Sequence, residues 1–129
     1  VYYANYLKFL ERGRTEHMRA HGFDQKRIKD ELGLIFPVRK VELDFLLPAT
    51  FDDMLEVRTE IFKLGAATLS FKQEIWRPVK QIEDKTLTNG SNSTDEIICQ
   101  AMISTACVAV DKLKPQRLPK ALSQALQQP

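Results

Sequence analysis

Cysteine, tryptophan and glycine are scarce in this 129-residue chain, which has two, one and five of them. Cys99 and Cys107 fall in a segment that reads as one strand, where extended backbone would hold them ~26 Å apart, beyond disulfide reach. No Cys-x-x-Cys or Cys/His ligand spacing occurs, so structural zinc has no support. Long apolar runs are lacking too. The longest uncharged one, residues 97–110, has 14 residues and is broken by Gln100, Ser104 and Thr105, short of the ~20 that a spanning helix needs. Nor does one sign of charge dominate: 19 Lys and Arg oppose 17 Asp and Glu, which argues against nucleic-acid binding by bulk charge. A chain with 43% hydrophobic and 28% charged residues is not of disordered composition, and its length implies one domain. The opening Val1-Tyr2-Tyr3-Ala4-Asn5-Tyr6 lacks the basic and apolar regions of a secretory leader, so a cytoplasmic protein is expected. A start at Val1 instead of Met raises the expectation of further natural residues upstream.

What is present divides by period. Tyr3, Tyr6, Leu7, Leu10, Gly13, His17 and Met18 recur at the three-and-four spacing of an amphipathic helix over residues 3–20, with Lys8, Arg12, Glu16 and Arg19 on the other side. Gly22 is placed to stop it. Residues 24–32 start with Asp24, a good N-cap, and end before Gly33, predicting a short polar helix. The period then becomes two: residues 38–45 read as a half-buried strand. Leu55, Val57, Thr59 and Ile61 pair as a hairpin with Leu69, Phe71, Gln73 and Ile75 across the turn at Leu64-Gly65-Ala66. Residues 78–95, with Thr88-Asn89-Gly90-Ser91-Asn92-Ser93, read as a long loop. Residues 96–111 read as one long strand, and a tail from residue 112 ends in a short helix over residues 120–127. A long helix followed by three or four antiparallel strands is an α+β pattern, the helix covering one sheet face.

The residues by themselves name no reaction. There is no Gly-rich phosphate loop, no nucleophile elbow and no zinc-protease motif. His17 and His21 share a helix face at i, i+4, but no acidic or cysteine partner is placed beside them, and a packing or surface role is the plainer reading. Glu11 and Glu16, flanked by Arg12 and Arg14, read as solvated ion pairs.

The stretch from Val1-Tyr2-Tyr3-Ala4-Asn5-Tyr6 through Leu10-Glu11-Arg12-Gly13-Arg14-Thr15-Glu16 closely resembles the opening of the central helix in the 4-hydroxybenzoyl-CoA thioesterase family of hotdog proteins, and most of all its Tol-Pal-associated acyl-CoA thioesterase branch. Phe36-Pro37-Val38-Arg39-Lys40, Phe51-Asp52-Asp53-Met54-Leu55-Glu56-Val57, and Val110-Asp111 leading into Lys114-Pro115 and Leu118-Pro119-Lys120 extend the similarity in the same order. It covers nearly the whole chain except residues 78–95, which look like an insertion. The resemblance implies a hotdog fold, a long central helix wrapped by a curved antiparallel sheet, in a single domain that assembles as a homodimer or tetramer. Gly13 in the helix interior then fits a close backbone approach, a merely tolerated glycine being the equal alternative.

The resemblance also implies hydrolysis of an acyl-CoA to a free acid and CoA, with no metal and no cofactor beyond the CoA of the substrate. Its catalytic aspartate belongs to a loop just before the helix, and so is expected upstream of Val1. On the matching positions Tyr3 stands at the helix N-terminus, where its backbone N–H would face the thioester oxygen; its side chain lining the pocket is the alternative. Asn5 and Thr68 match substrate-contacting positions, and Tyr6 reads as core. The turn near Thr68 has Gly65 and Ala66 where basic residues are common, leaving Lys63 as a candidate phosphate contact.

Charge is unevenly spread. Residues 1–40 carry nine basic and five acidic groups, residues 41–111 six and twelve, and the tail Lys112, Lys114, Arg117 and Lys120 with no acid. A basic tail beside an acidic body suits CoA phosphates, an acyl carrier protein or an anionic membrane surface, a solvated tail being the plainer alternative. Two other functions remain on the same fold: a dehydratase acting on hydroxyacyl chains, and a non-catalytic acyl-binding or scaffold protein.

Overall fold

The structure, a computed structural model, describes residues 3–49, 54–78 and 95–127. The chain opens with helix α1 (Tyr3–Ala20) and the short α2 (Gln25–Leu32). Strands β1 (Leu34–Ile35), β2 (Val38–Phe45), β3 (Glu56–Leu64), β4 (Thr68–Arg77), β5 (Glu96–Ala106) and β6 (Val108–Ala109) follow, and α3 (Lys120–Leu126) closes the described chain. Four strands form an antiparallel sheet in the order β2-β5-β4-β3, while β1 and β6 make a separate antiparallel pair. Most of the expected loop, residues 79–94, lies outside the described residues, as does the Phe51-Asp52-Asp53 turn.

Local chemistry sets the helix boundaries. The side chain of Asp24 accepts the Arg27 N–H at 2.7 Å, and Gly33 ends α2 in the left-handed region at φ 66° while its N–H reaches Ile28 and Lys29. Only glycine adopts that conformation without a Cβ penalty. After α1, the N–H groups of Gly22 and Phe23 fold back onto Arg19 and Met18 at 2.9 Å.

The hairpin lies where the alternation predicts. Val57, Thr59 and Ile61 pair with Ile75, Gln73 and Phe71, and the turn closes through the Gly65 N–H and the Thr68 carbonyl at 2.9 Å. Leu69, Phe71, Gln73 and Ile75 point into the core with Ala101 and Ile103 of β5. Onto that face α1 lays Tyr6 and Leu10, which are 4% and 0% exposed. Gly13 makes the contact close: a Cβ there would stand 2.6 Å from Val57 Cγ1 and 2.9 Å from Thr59 Oγ1. The approach expected of this glycine is thus close, but to side chains of β3 and β4 and not to a backbone.

Three expectations need correction. Residues 96–111 are not one strand, because the ladder ends at Ala106 and the chain turns to pair β6 with β1; Cys99 and Cys107 are both free and buried. Strand β2 is not half-buried: only Leu43 is partly covered, since α1 packs over β3 and β4 and leaves the β2 edge bare. The basic tail is not a free appendage. The N–H of Leu118 donates to Ala66 at 2.8 Å and that of Gln116 to Cys107 at 2.8 Å; Leu118, just before α3, is buried together with Leu122 and Leu126, four apart on one face of that helix. Burial of that face outweighs the tail's charge, which stays on the exposed side.

Candidate functional site

Helix α1 begins at Tyr3 with no acidic residue in its first turn, so nothing in that turn offsets the positive end of its dipole. The side chain of Tyr3 lies outside the described residues. Asn5 is exposed beside it, and Tyr6 turns inward against Phe45 of β2, the rings 5.4 Å apart. The N-terminus of α1 thus sits at the Phe45 end of the sheet. From there α1 runs past Val57 at Gly13 and presents the His17 ring edge-on to Phe71 at 6.5 Å, heading for the β3–β4 turn. Lys63 is exposed near the end of β3 and Thr68 is half-buried at the start of β4. Within one copy of the chain Tyr3 and Asn5 therefore lie at one end of α1, and Lys63 and Thr68 at the other. The 18-residue helix separates them by ~25 Å at 1.5 Å per residue. The docked tail places Arg117 beside the same turn as Lys63, through the Leu118–Ala66 hydrogen bond.

A buried polar hub joins helix and sheet. Gln73, fully buried, donates through Nε2 to the Leu10 carbonyl at 2.8 Å and to Thr59 Oγ1 at 2.9 Å, and its Oε1 accepts from Arg14 Nη1 at 3.0 Å. Arg14 was expected in a solvated ion pair. The structure corrects this: Glu16 pairs with Arg19 at 2.8 Å on the surface, whereas Arg14 turns inward to a neutral partner. Burial pushes its pKa down, and the charge of Glu11 opposes the shift. The signal available in the sequence was Gln73 itself, a polar residue at a core position of an otherwise apolar strand face.

Among the described residues, cavities lie on both sides of α1. One, of about 520 Å³, opens between α1, α2 and the β4–β5 part of the sheet, bordered by Arg14, Met18, Phe36, Val38 and Phe71. The other, of about 650 Å³, lies between α1 and β3 and is bordered by Phe9, Arg12, His17, Leu55 and Val57. Burial raises the pKa of Cys99, with Asp44 adding to the shift, and burial raises that of Cys107, so neither is a ready thiolate.

His17 and His21 stack with ring centroids 4.5 Å apart, and no acid or thiol completes a metal-binding group with them among the described residues. The buried Nε2 of His17 has no hydrogen-bond partner there. Burial, and then the neighbouring His21, push the His17 pKa below its ordinary value of 6.5. A group with a depressed folded pKa binds its proton more readily when unfolded. The stability tied to the neutral ring is therefore complete above about pH 6.5 and declines as pH falls through that value toward the lower folded one. The urea midpoint is expected to drop more steeply between about pH 8 and pH 5 in the wild type than in His17→Gln. Parallel pH profiles would show that His17 contributes no acid sensitivity.

Comparison with known proteins places this geometry. The thioesterase superfamily family model matches residues 1–82. "Acyl-CoA thioesterase YbgC" of Haemophilus influenzae is 34% identical over 125 residues, covering 97% of this chain and 80% of that protein. "Acyl-CoA thioester hydrolase YbgC" of Escherichia coli O157:H7 is 35% identical over 122 residues, covering 95% and 79%. Among solved structures, a probable thioesterase from Bartonella henselae aligns with a TM-score of 0.73 at 30% identity, over 92% of this chain and 85% of that one. A mutant 4-hydroxybenzoyl CoA thioesterase complexed with 4-hydroxybenzoyl CoA aligns with a TM-score of 0.82 over 98% and 85%, and at 17% identity it shows the shared hotdog fold alone. Helix over antiparallel sheet, the family match from the first residue through β4, and relatives aligned along nearly the entire chain agree: this protein belongs to the thioesterase superfamily.

Proposed function

We propose that this protein is an acyl-CoA thioesterase, hydrolysing the thioester to a free carboxylic acid and CoA. The observation that carries the reading is the start of α1: a long helix held against the sheet, its positive end uncompensated by any acid in the first turn. Aimed at a thioester carbonyl, the backbone N–H at Tyr3 stabilises the oxygen as it becomes negative when the carbonyl is attacked. Collapse of the tetrahedral intermediate restores the carbonyl and expels the CoA thiolate. The carboxylate that activates water to attack, or that attacks itself and leaves an acyl-enzyme anhydride for water to cleave, is assigned to the segment preceding Val1. Asn5, Lys63 and Thr68 are assigned to substrate binding, and the reaction calls for no cofactor besides the substrate's own CoA. The setting we infer is the cytoplasm; no described helix is long and apolar enough to cross a membrane.

The working unit is a homodimer, two of which can pair further into a tetramer. Its support is β2, an edge strand of the described sheet with Val41 and Phe45 exposed at 40% and 45%, beside Leu7 of α1 at 45%. An open, apolar edge of this kind is an aggregation hazard unless it is paired. Antiparallel pairing of two copies is isologous. About a two-fold axis near Val41 it sets Lys40 opposite Glu42 of the partner subunit, and it brings the Val38 end of one copy to the partner's Phe45 and the N-terminus of its α1. Residues from opposite ends of the helix, which one copy keeps apart, then come from two copies. The docked tail, with Lys112, Lys114, Arg117 and Lys120 exposed, is the surface offered to an acyl carrier protein.

Thiol release by the full-length protein across short, long and aromatic acyl-CoAs tests the reading, with light scattering on the same sample. Turnover by a dimer, lost together with dimerisation in Val41→Asp, is the expected result. A folded protein inert toward every acyl-CoA would favour a non-catalytic acyl-binding or scaffold role, and an active monomer would remove the two-copy site.

A further inference from the structure

The cavity that α1 leaves open over β4 and β5 is lined by more cationic than anionic side chains, Arg14 and Lys29 against Glu11. Its walls are apolar, supplied by Met18, Ile28, Phe36, Leu69 and Phe71. Arg14 lines it, half-buried, and makes one hydrogen bond, to the neutral side chain of Gln73. A guanidinium carries five N–H donors in a planar fork suited to carboxylates. Among the described residues no carboxylate forms an ion pair with Arg14; Glu11, one turn earlier, is exposed at the border of the cavity and acts on Arg14 through its charge alone. Lys29 of α2 borders the same cavity and adds a second positive charge. With Lys29 and the half-buried Arg14 set against the single carboxylate of Glu11, the cavity carries a net positive charge that favours an anionic ligand.

We propose that Arg14 is a specificity residue that binds a carboxylate at the far end of the acyl group, so that the preferred substrates are ω-carboxyacyl-CoAs with a medium-length methylene spacer. The inference rests on the thioesterase reading and deepens it. The spacer follows from the cavity: about 520 Å³, with Met18, Ile28, Phe36, Leu69 and Phe71 in its wall, suits a methylene chain better than an acetyl group, and Arg14 lies in that wall. In the self-paired arrangement Val38, which borders the cavity, adjoins the N-terminus of the partner's α1, so the thioester end and the carboxylate end would be held by different copies.

The test compares kcat/KM of the full-length protein on adipoyl-CoA against heptanoyl-CoA, and on suberoyl-CoA against nonanoyl-CoA. The carboxylated member of each pair is expected to be favoured by roughly 10- to 100-fold, the range of a charge-assisted Arg–carboxylate contact. Arg14→Met should invert that ratio, and Arg14→Lys should retain part of it. Preference for the unsubstituted chains in the wild type, or an Arg14→Met variant that lowers both members of a pair equally, overturns the proposal while leaving the thioesterase reading intact. Absence of turnover on all four overturns both. Thermal melts identify an unfolded Arg14→Met, in which case the wild-type ratio and its change in Arg14→Lys decide.

Discussion

Replacing Leu122 with alanine is expected to destabilise the protein by ~2–5 kcal/mol, the cost of removing a fully buried leucine and leaving a cavity. For a domain of this length that corresponds to a fall in Tm of roughly 8–20 °C. The prediction is specific because Leu122 belongs to a segment that reads as a charged tail, yet its side chain is 0% exposed, and Leu126 on the same face and Leu118 just before the helix are also buried. The backbone is tied as well, through the Leu118 and Gln116 N–H groups to the β3–β4 turn and to Cys107. A neighbouring surface variant, Lys120→Ala, should change Tm by no more than ~2 °C, since exposed substitutions usually shift stability by less than ~0.5 kcal/mol. Equal melting of Leu122→Ala and the wild type would mean that α3 is not part of the core.

Gln73→Met should cost ~2–4 kcal/mol although it preserves volume, because the loss falls on hydrogen bonds and not on packing. The amide donates to Leu10 and Thr59 and accepts from Arg14. With methionine in its place, the Thr59 hydroxyl and the half-buried guanidinium lose their common partner. Both Leu10 and Gly13 belong to the part of α1 that touches the sheet, so the hub also governs how the helix is seated and where its N-terminus points. Denaturant unfolding gives the stability term, and thiol release gives the functional one. A variant as stable as the wild type would show that apolar contacts of Tyr6 and Leu10 alone position α1.

Much of the local architecture was legible in the residue order. The three-and-four spacing of Tyr6, Leu10, Gly13 and His17, Asp24 as N-cap, Gly33 as C-cap, and the alternation through Val57–Ile61 and Leu69–Ile75 each report a backbone geometry dictated by neighbours in sequence. The boundaries missed were those decided at a distance. Residues 96–111 have β-type composition throughout, so nothing local marks the break after Ala106, where β6 leaves to pair with β1. Arg14 looks like any helix-surface cation, and only the register of Gln73 on β4 turns it inward.

The candidate site divides in the same way. The sequence alone determined the long helix with its acid-free first turn, the hairpin, and the resemblance that implies thioester chemistry, because propensity, capping and motif order are written in short windows. Tertiary structure alone decided that α1 covers β3 and β4 and leaves most of β2 exposed, that Tyr3 and Asn5 stand at the opposite end of the helix from Lys63 and Thr68, that the tail is anchored by Leu118, Leu122 and Leu126, and that Arg14 lines a cavity. The physical reason is that burial and electrostatic pairing depend on which surfaces meet across long sequence separations, and short-range spacing carries no information about that meeting.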